Sequence, residues 1–345
     1  MSTPLRAVVT GGGGFLGSRI VSILVHEGWR VSSFSRHAYP ELEAQGVRCK
    51  LGDLADATAV REALRESDVV FHVASKVALW GDYADFQAAN VMGTRNVLEA
   101  CRRNGIGKLV YTSTPSVVFD ARDLRQANED TPFPKKFLAH YPRTKAEAER
   151  LVLAANGPDL ATVALRPHSI WGPGDNQLFP RLAKMQLSGM LRLVGSGDNL
   201  IDTTFVDNAA RAHVEAAERL EFGGAAAGKA YFISQGDPRP LRIMVNDLLR
   251  AGGLPPVQKS IPFSLAYFAG CCFEAAYRLF GVAAEPPLTR YAALLWARDH
   301  YFDISAARRD LGYNPAIGIE EGMRRFQASL CADRDVAVAA GGARI

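Results

Sequence analysis

The sequence predicts an α/β fold class: a doubly wound parallel sheet followed by a smaller mixed α/β region. In the first half of the chain, short apolar runs alternate with longer amphipathic segments. A glycine-rich run joins the first apolar run to the first amphipathic one. Alternation of this kind builds a parallel sheet whose right-handed crossovers place helices on both faces. A length of 345 residues is more than one core usually serves, so a second, smaller unit is expected.

Five apolar runs indicate buried strands, and amphipathic patterns between them indicate helices. Gly28 and Gly105 stand where the C-terminal caps of two of these helices belong. A long helix is predicted from Pro142, followed by one more strand. The predicted strands are 7–10, 31–34, 47–51, 69–73, 109–113 and 161–165, and the first predicted helices are 18–27, 58–66 and 86–104.

The pattern changes after Trp171, where proline and glycine become frequent and the elements irregular. Residues 1–170 are therefore expected to form one domain, to which segments near 195–240 return. Residues 171–330 are expected to form mainly the smaller mixed region, with helices at 207–220, 263–279 and 304–311. The last residues, 331–345, are rich in alanine and glycine and are expected to be a flexible tail.

Composition and charge exclude several classes of protein. A net charge of +4, without a basic stripe or arm, does not suit a nucleic-acid binder. The five cysteines form no paired framework and no metal-ligand spacing, so we expect reduced thiols, no metal site and a cytoplasmic location. The most apolar stretch, 261–282, is interrupted by Glu274 and Arg278 and is too short to span a bilayer.

The glycine-rich run predicts a dinucleotide site of the Rossmann type. Gly11, Gly14 and Gly17 give the pattern G-x-x-G-x-x-G, with Phe15 and Leu16 opening the next helix. Glycine is needed there because the chain must turn tightly and let a pyrophosphate approach the helix N-terminus. The alternative is a flexible loop, but a position between a strand and an amphipathic helix favours the nucleotide site.

The end of the second strand indicates which dinucleotide is bound. Sites for NAD place an acidic residue there for the ribose 2′-hydroxyl, whereas this chain has Ser35 and Arg36. A guanidinium beside a hydroxyl suits a 2′-phosphate, so NADP is predicted, with NAD as the alternative if Arg36 only stacks on adenine. Asp53, followed by Leu54, could accept a hydrogen bond from adenine or could cap a helix, as Asp56 could. Ala74 ends the fourth strand, where a small residue allows close approach.

Tyr141 and Lys145 are the predicted catalytic pair. Four residues apart at the start of the long helix, they share one face of it. A nearby ammonium is expected to lower the pKa of the phenol towards the working range of an acid–base catalyst. A hydroxyl at the end of the fifth strand should complete the set. Periodicity does not choose among the candidates there, which are Thr112, Ser113, Thr114 and Ser116.

Together these motifs resemble the extended short-chain dehydrogenase/reductases, and within them the 3β-hydroxysteroid dehydrogenase-like family. The likeness covers nearly the whole chain, and the combination of motifs is specific although no single motif is. The motifs are T-G-G-G-G-F-L-G (10–17), G-D-L (52–54), N-V-M-G-T (90–94), Y-T-S-T-P-S-V (111–117), Y-P-R-T-K (141–145), R-P-H-S-I-W-G-P-G-D (166–175), F-V-D-N-A-A-R-A-H (205–213) and Y-F-D-I-S-A-A-R-R-D-L-G-Y (301–313).

The resemblance implies roles for individual residues. Thr114 would bind the substrate oxygen, with Ser113 as the alternative, Tyr141 would exchange the proton, and Lys145 would hold the nicotinamide ribose. Asn90 resembles the helix asparagine that organises the lysine, or is a buried structural residue. Pro167 and Ile170 would present backbone to the nicotinamide.

The resemblance also implies a substrate class. It is greatest to the reductases of 2-alkyl-3-oxoalkanoates in bacterial long-chain olefin biosynthesis, and next to dehydrogenases of 4-carboxysterols. Both kinds of substrate are hydrophobic β-keto or β-hydroxy acids. The candidates for contact with such a substrate are Lys76, Trp80, Ser116 and Ser169, and the candidate partners of its carboxylate are Lys76, His168, Arg181 and Arg290.

The apolar stretch 261–282 has three interpretations: a wall of the substrate pocket, a core or dimer helix, and a contact with a membrane or an enzyme complex. A homodimer is implied by the resemblance alone. Two other functions share parts of the pattern: a nucleotide-sugar epimerase or dehydratase, and a non-catalytic NADP-binding sensor. The first expects a polar pocket, and the second usually lacks the tyrosine or the lysine that this chain keeps.

Overall fold

A computed structural model describes residues 4–339 of the chain. The strands are β1 (Arg6–Thr10), β2 (Arg30–Ser35), β3 (Arg48–Leu51), β4 (Val69–His72), β5 (Lys108–Thr112), β6 (Leu124–Ala127), β7 (Ala161–Pro167), β8 (Ile170–Trp171), β9 (Leu193–Val194), β10 (Leu200–Ile201), β11 (Thr204–Phe205), β12 (Lys229–Ile233), β13 (Arg239–Pro240), β14 (Ser260–Ile261) and β15 (His300–Phe302). The α-helices are α1 (Phe15–His26), α2 (Pro40–Glu43), α3 (Ala57–Leu64), α4 (Tyr83–Phe86), α5 (Gly93–Asn104), α6 (His140–Ala154), α7 (Leu178–Leu187), α8 (Val206–Arg219), α9 (Leu241–Ala251), α10 (Phe263–Leu279), α11 (Arg290–Ala297), α12 (Ser305–Leu311) and α13 (Ile319–Ala339).

A parallel sheet of seven strands organises the larger part of the molecule. Its order is β12-β7-β5-β4-β1-β2-β3, and the chain reverses direction across the sheet between β1 and β4. β1 pairs with β2 from Arg6↔Arg30 to Thr10↔Phe34 and with β4 from Ala7↔Val69 to Thr10↔His72. Ligands of doubly wound sheets bind where the carboxyl ends of such strands diverge. The ends of β1, β4 and β5 are therefore the place to look for the site.

Helices cover both faces of this sheet, as an apolar parallel sheet requires. One face packs against α1, α8 and α12, with Ile20, Val206 and Leu311 among the buried residues. The other packs against α3, α5 and α6, where Val97 and Val152 are fully buried. These two layers confirm the predicted α/β class.

A smaller unit with its own core lies beside the sheet. It contains a mixed four-stranded sheet of order β13-β10-β15-β6, in which β10 pairs antiparallel with β13 and parallel with β15. Trp171, Phe205, Phe179 and Phe326 pack edge to face in a core shared with α7, α9 and α13. Strand β6 comes from the first half of the chain, yet it pairs with β15.

The six predicted strands of the large sheet agree with the structure to within two residues at each end. The helices α7, α9, α11 and α13 were not among the predicted elements. Helix α13 continues to Ala339, into the segment 331–345 that the sequence predicts to be a flexible tail. Residues 340–345 of that prediction lie outside the described part. None of the helices that the structure describes is both long and apolar enough to cross a lipid bilayer.

Candidate active site

The turn after β1 brings the backbone of the glycine run close to the end of β4. Gly11 has a φ of +70°, and a Cβ there would lie 3.1 Å from the backbone of Ala74. A Cβ on Gly17 would lie 2.1 Å from the Gly11 carbonyl oxygen, so only glycine allows this helix to start so near the turn. Gly14 is the N-cap of α1 and has no side chain with which to cap it. The first N–H groups of α1 are therefore oriented to receive an anionic group.

A buried hydrogen-bond chain holds this turn in place. The Thr10 hydroxyl lies 2.8 Å from His72 Nδ1, and the other ring nitrogen of His72 lies 3.0 Å from the Thr94 hydroxyl. Because Thr94 donates its proton to the Asn90 carbonyl oxygen at 2.6 Å, His72 Nε2 carries the proton in this chain. Burial lowers the pKa of His72 to about 3, so the ring is neutral. The Thr10 oxygen also accepts from the N–H groups of Val73 and Ala74, both at 3.2 Å.

The end of β2 carries the residues predicted to select the cofactor. The Ser35 hydroxyl donates to the His37 carbonyl oxygen at 3.1 Å, and Arg36 is exposed just beyond the strand. Asp56 caps α3 by accepting from the N–H groups of Thr58 and Ala59. Asp53 accepts from the Ala55 N–H at 2.8 Å within the turn and is not the helix cap.

Sequence reasoning missed Tyr39 at this edge. An ideal Cβ on Gly13 would lie 2.2 Å from Cδ2 of Tyr39, so the aromatic ring rests directly against the glycine run. Tyr39 is half-buried and follows Arg36 by three residues. An aromatic residue shortly after the second strand is a weak signal by itself, and only the contact with Gly13 shows its place.

Lys145 is buried behind the end of β5. Its ammonium donates to the Thr112 carbonyl oxygen at 2.6 Å and lies 4.2 Å from the centroid of the Tyr111 ring. Burial lowers the pKa of Lys145 to about 7, against the opposing charge of Glu149. The amine is thus close to its titration point at neutral pH.

Tyr141 differs from the expectation for its pKa. Burial raises the pKa of Tyr141 to about 12, and a hydrogen bond with the Thr114 hydroxyl opposes part of that rise. The expected lowering by Lys145 is absent because the ammonium faces Thr112 and Tyr111 instead. At neutral pH the phenol therefore holds its proton beside the Thr114 hydroxyl.

The four hydroxyls after β5 have different partners. Thr112 Oγ1 lies 2.8 Å from Nε2 of His213, and Ser113 donates to the buried carboxylate of Glu149. The same carboxylate accepts from Nη2 of Arg166 at 2.6 Å. Thr114 accepts from the Ser116 N–H at 3.2 Å and reaches Tyr141. Of these hydroxyls, that of Thr114 forms a hydrogen bond with the Tyr141 phenol.

Asn90 lies in a π-helical turn, Gln87–Met92, a distortion that often occurs at functional sites. Its carboxamide accepts from the Lys76 N–H at 2.7 Å and donates to the Lys76 carbonyl oxygen at 3.1 Å. It also donates to the Thr144 hydroxyl at 3.1 Å. Asn90 therefore ties the segment after β4 to α6, beside Lys145 but without a hydrogen bond to its ammonium.

The candidate substrate residues are distributed around this edge. The Lys76 ammonium pairs with Asp85 at 2.6 Å, and the Trp80 indole donates to the Val282 carbonyl oxygen at 3.4 Å. Ser169 has a φ of +41°, an unusual conformation for a residue with a side chain, between Pro167 at the end of β7 and Ile170 at the start of β8.

Each basic residue proposed as the partner of a substrate carboxylate already contacts an acidic residue. Besides Lys76, His168 Nδ1 lies 2.6 Å from Asp202, Arg290 Nη2 lies 2.8 Å from Glu274, and Arg181 pairs with Glu285. A carboxylate that binds near one of them would have to displace or share that partner.

A Rossmann-type sheet, a glycine turn at an uncapped helix and a Tyr–Lys pair define an NAD(P)-dependent oxidoreductase of the extended short-chain dehydrogenase/reductase type. The chain belongs to the 3-beta hydroxysteroid dehydrogenase/isomerase family, whose model matches residues 8–264.

Comparison with individual proteins supports the same assignment. The chain is 51% identical over 330 residues to 2-alkyl-3-oxoalkanoate reductase of Stenotrophomonas maltophilia, covering 95% of this chain and 100% of that protein. It is 33% identical over 330 residues to sterol-4-alpha-carboxylate 3-dehydrogenase, decarboxylating, of Mus musculus, covering 94% and 91%. The solved structure of the epimerase Mth375 from Methanothermobacter thermautotrophicus has a TM-score of 0.77 at 20% identity, covering 97% and 95%, and shows the fold alone.

Proposed function

We propose that the chain is an NADPH-dependent reductase that converts a 2-alkyl-3-oxoalkanoate into the corresponding 3-hydroxy acid. The observation that carries this proposal is the Tyr141 phenol in contact with the Thr114 hydroxyl, with Lys145 buried nearby on the same helix. The substrate comes from the relative named 2-alkyl-3-oxoalkanoate reductase, with which this chain shares half of its residues.

The glycine run fits a dinucleotide, because the missing side chains of Gly11, Gly14 and Gly17 leave backbone N–H groups accessible at the start of α1. Phe15, Leu16, Ala74, Pro167 and Ile170 would complete the walls of this site. Exposed Arg36 beside Ser35 favours NADP over NAD, because a guanidinium can pair with a 2′-phosphate and no carboxylate of this turn repels it. Asp53 and Leu54 would border the adenine.

The catalytic step follows from the proton that Tyr141 holds. When bound, NADPH supplies the hydride that adds to the keto carbon. The hydroxyls of Tyr141 and Thr114 donate hydrogen bonds to the carbonyl oxygen, and the C=O π bond breaks as the hydride arrives. Tyr141 transfers its proton to the developing alkoxide, which leaves a secondary alcohol. Lys145, whose amine faces the Thr112 carbonyl oxygen, would hold the ribose of the cofactor.

The two structural units of the chain would have separate binding roles. Residues 1–170, with β12 returned to their sheet, would bind the cofactor, and 171–330 would bind mainly the substrate. Lys76, Trp80, Ser116 and Ser169 would contact the substrate. We propose that the protein is a homodimer and that it is located in the cytoplasm.

A substrate panel tests the function. With a long-chain 2-alkyl-3-oxoalkanoate, the fall in absorbance at 340 nm would be followed with NADPH and NADH in parallel. With a 3-hydroxy-4-carboxysterol, the rise in absorbance at 340 nm would be followed with NADP⁺ and NAD⁺, and conversion of a UDP-sugar would be followed by chromatography of the products. We expect oxidation of NADPH with the acyclic keto acid and no conversion of the other two compounds. Turnover of the sterol alone would assign the protein to sterol metabolism, and conversion of the UDP-sugar alone would overturn the proposal.

A further inference from the structure

Helix α10 exposes a continuous apolar face. We define the α10 stripe as Leu265, Phe268, Cys272, Ala275 and Leu279, which recur every three or four residues, together with Phe280. All six are exposed, and Phe268, Leu279 and Phe280 are exposed by 65%, 79% and 76%. Contiguous apolar surface of this kind marks a site of interaction.

The opposite face of α10 holds the helix on the protein. Ala266 and Gly270 are buried there, and a Cβ on Gly270 would lie 2.7 Å from the Arg290 backbone nitrogen. Glu274 is also buried, and its carboxylate binds the guanidinium groups of Arg290 and Arg278. The stripe is therefore fixed outward by close packing and an ion-pair cluster behind it.

Exposed basic residues occur in the segments that pack with and precede α10. Phe137 packs against the same apolar cluster as Phe263 and Tyr267 of α10, and the two residues before it, Lys135 and Lys136, are exposed. Lys259 is exposed just before the helix, and the Arg278 side chain is 59% exposed near its end. The only acidic residue between 263 and 282 is the buried Glu274.

We propose that the α10 stripe binds the surface of an anionic lipid bilayer. An apolar helix face enters the boundary between headgroups and acyl chains, and surrounding lysines are attracted to acidic headgroups. A second copy of the chain would bring the same basic rim against this one, so like charges oppose self-association through the stripe.

The stripe adjoins the proposed substrate side. The Trp80 indole donates to the Val282 carbonyl oxygen and packs edge to face on Tyr277, so the segment after β4 contacts the end of α10. A long-chain substrate dissolved in lipid could enter the site from the bound surface. This last step rests on the proposed function, whereas the binding itself does not.

Sedimentation with vesicles tests the proposal on the full chain. We would compare vesicles of phosphatidylcholine alone with vesicles that also contain phosphatidylglycerol, and three variants with the native protein. The stripe variant, Phe268→Ser/Leu279→Ser/Phe280→Ser, replaces the three most exposed apolar residues of the stripe. The rim variant, Lys135→Glu/Lys136→Glu, reverses the charge of two of the exposed basic residues. The control variant, Leu187→Ser/Met190→Ser, changes two apolar residues that are exposed elsewhere. NADPH binding would verify that each variant is folded.

We expect the native protein to sediment with the anionic vesicles and much less with the neutral ones. The stripe variant should bind anionic vesicles at least about tenfold more weakly than the native protein. The rim variant should bind anionic vesicles only as weakly as the native protein binds neutral ones. The control variant should bind both kinds of vesicle as the native protein does. Absence of native binding to both kinds of vesicle, or equal binding by the stripe variant, would overturn the proposal. So would a loss of oligomeric state in the stripe variant, which would identify a second copy as the occupant. None of these readouts depends on turnover, so a failure of the membrane-binding proposal can be distinguished from a failure of the proposed function.

Discussion

Ser113 and Thr114 are adjacent in the chain, yet the Ser113 hydroxyl binds the Glu149 carboxylate and the Thr114 hydroxyl contacts the Tyr141 phenol. Ser113 donates to the Glu149 carboxylate, which is fully buried and also bound by Arg166. Thr114 accepts from the Ser116 N–H and reaches the Tyr141 phenol. This arrangement assigns Ser113 to the packing between α6 and β7 and leaves Thr114 available to a substrate.

Substitution of each hydroxyl should therefore have a different effect. In Thr114→Ala we expect kcat to fall about 100-fold with little change in stability, because a hydrogen-bond donor to the transition state is lost. In Ser113→Ala we expect the free energy of unfolding to fall by about 1–3 kcal/mol, because a buried carboxylate loses a donor, while kcat is retained. Thr114→Ser is the control and should keep its activity. The opposite pattern would assign the catalytic hydroxyl to Ser113.

Lys145 should destabilise the fold at neutral pH. Burial lowers its pKa from 10.5 to about 7, so between these values the unfolded chain binds more protons than the folded one. The free energy of unfolding therefore rises with pH through this window, and the cost is fully present below pH 7. We expect Lys145→Met to be inactive but to melt above the native protein at about pH 6, with a difference that shrinks towards about pH 10. Lys108→Met is the control, at the start of β5 where the lysine donates to the Ala217 carbonyl oxygen, and an equal gain there would contradict this reasoning.

Three buried histidines should make the fold sensitive to acid. Burial lowers the pKa of His72 to about 3 and those of His213 and His300 to about 4, from an ordinary value of 6.5. As the pH falls below 6.5, the unfolded chain takes up protons that the folded chain does not, so stability present above that pH is lost. Each histidine contributes a slope of up to about 1.4 kcal/mol per pH unit. Denaturant melts of His213→Gln should show a shallower dependence than those of His26→Gln, the exposed control.

Arg36 should determine the preference for NADPH. In Arg36→Ala we expect the Kd of NADPH to rise about 10- to 100-fold, since a charge-assisted contact with the 2′-phosphate is lost. The Kd of NADH should change little, and Arg48→Ala, at an exposed arginine of the next strand, should leave both unchanged. Fluorescence titration measures both constants. An equal effect on the two cofactors would indicate that Arg36 only stacks on adenine.

Much of the fold was predictable because its signals are local. Strands β1, β4, β5 and β7 are mainly apolar runs, and the glycine run has the spacing of a tight turn before a helix. The sequence did not predict strand pairings between segments that are far apart in the chain. Strand β6 pairs with β15 from the other end of the chain, and no periodicity in either segment indicates that partner.

The site was predictable in its residue types and less so in its electrostatics. Tyr141 and Lys145 share a helix face as their spacing requires, but the direction of the lysine side chain depends on the Thr112 carbonyl oxygen, which the sequence pattern does not place. For the same reason the predicted pKa of Tyr141 was wrong. The choice between Ser113 and Thr114 depended on Glu149, a buried acid whose partner no local pattern identifies.

The central claim is that Tyr141 donates the proton in the reduction of a keto acid. The most direct test measures kcat for NADPH oxidation with a 2-alkyl-3-oxoalkanoate as substrate. It compares the native protein with Tyr141→Phe and with the control Tyr83→Phe. In the native protein the Tyr83 phenol contacts Glu147. We predict that Tyr141→Phe lowers kcat by about 100- to 10,000-fold while the Kd of NADPH stays the same, and that Tyr83→Phe is fully active. Native kcat in Tyr141→Phe, or an equal loss in Tyr83→Phe, would contradict the account.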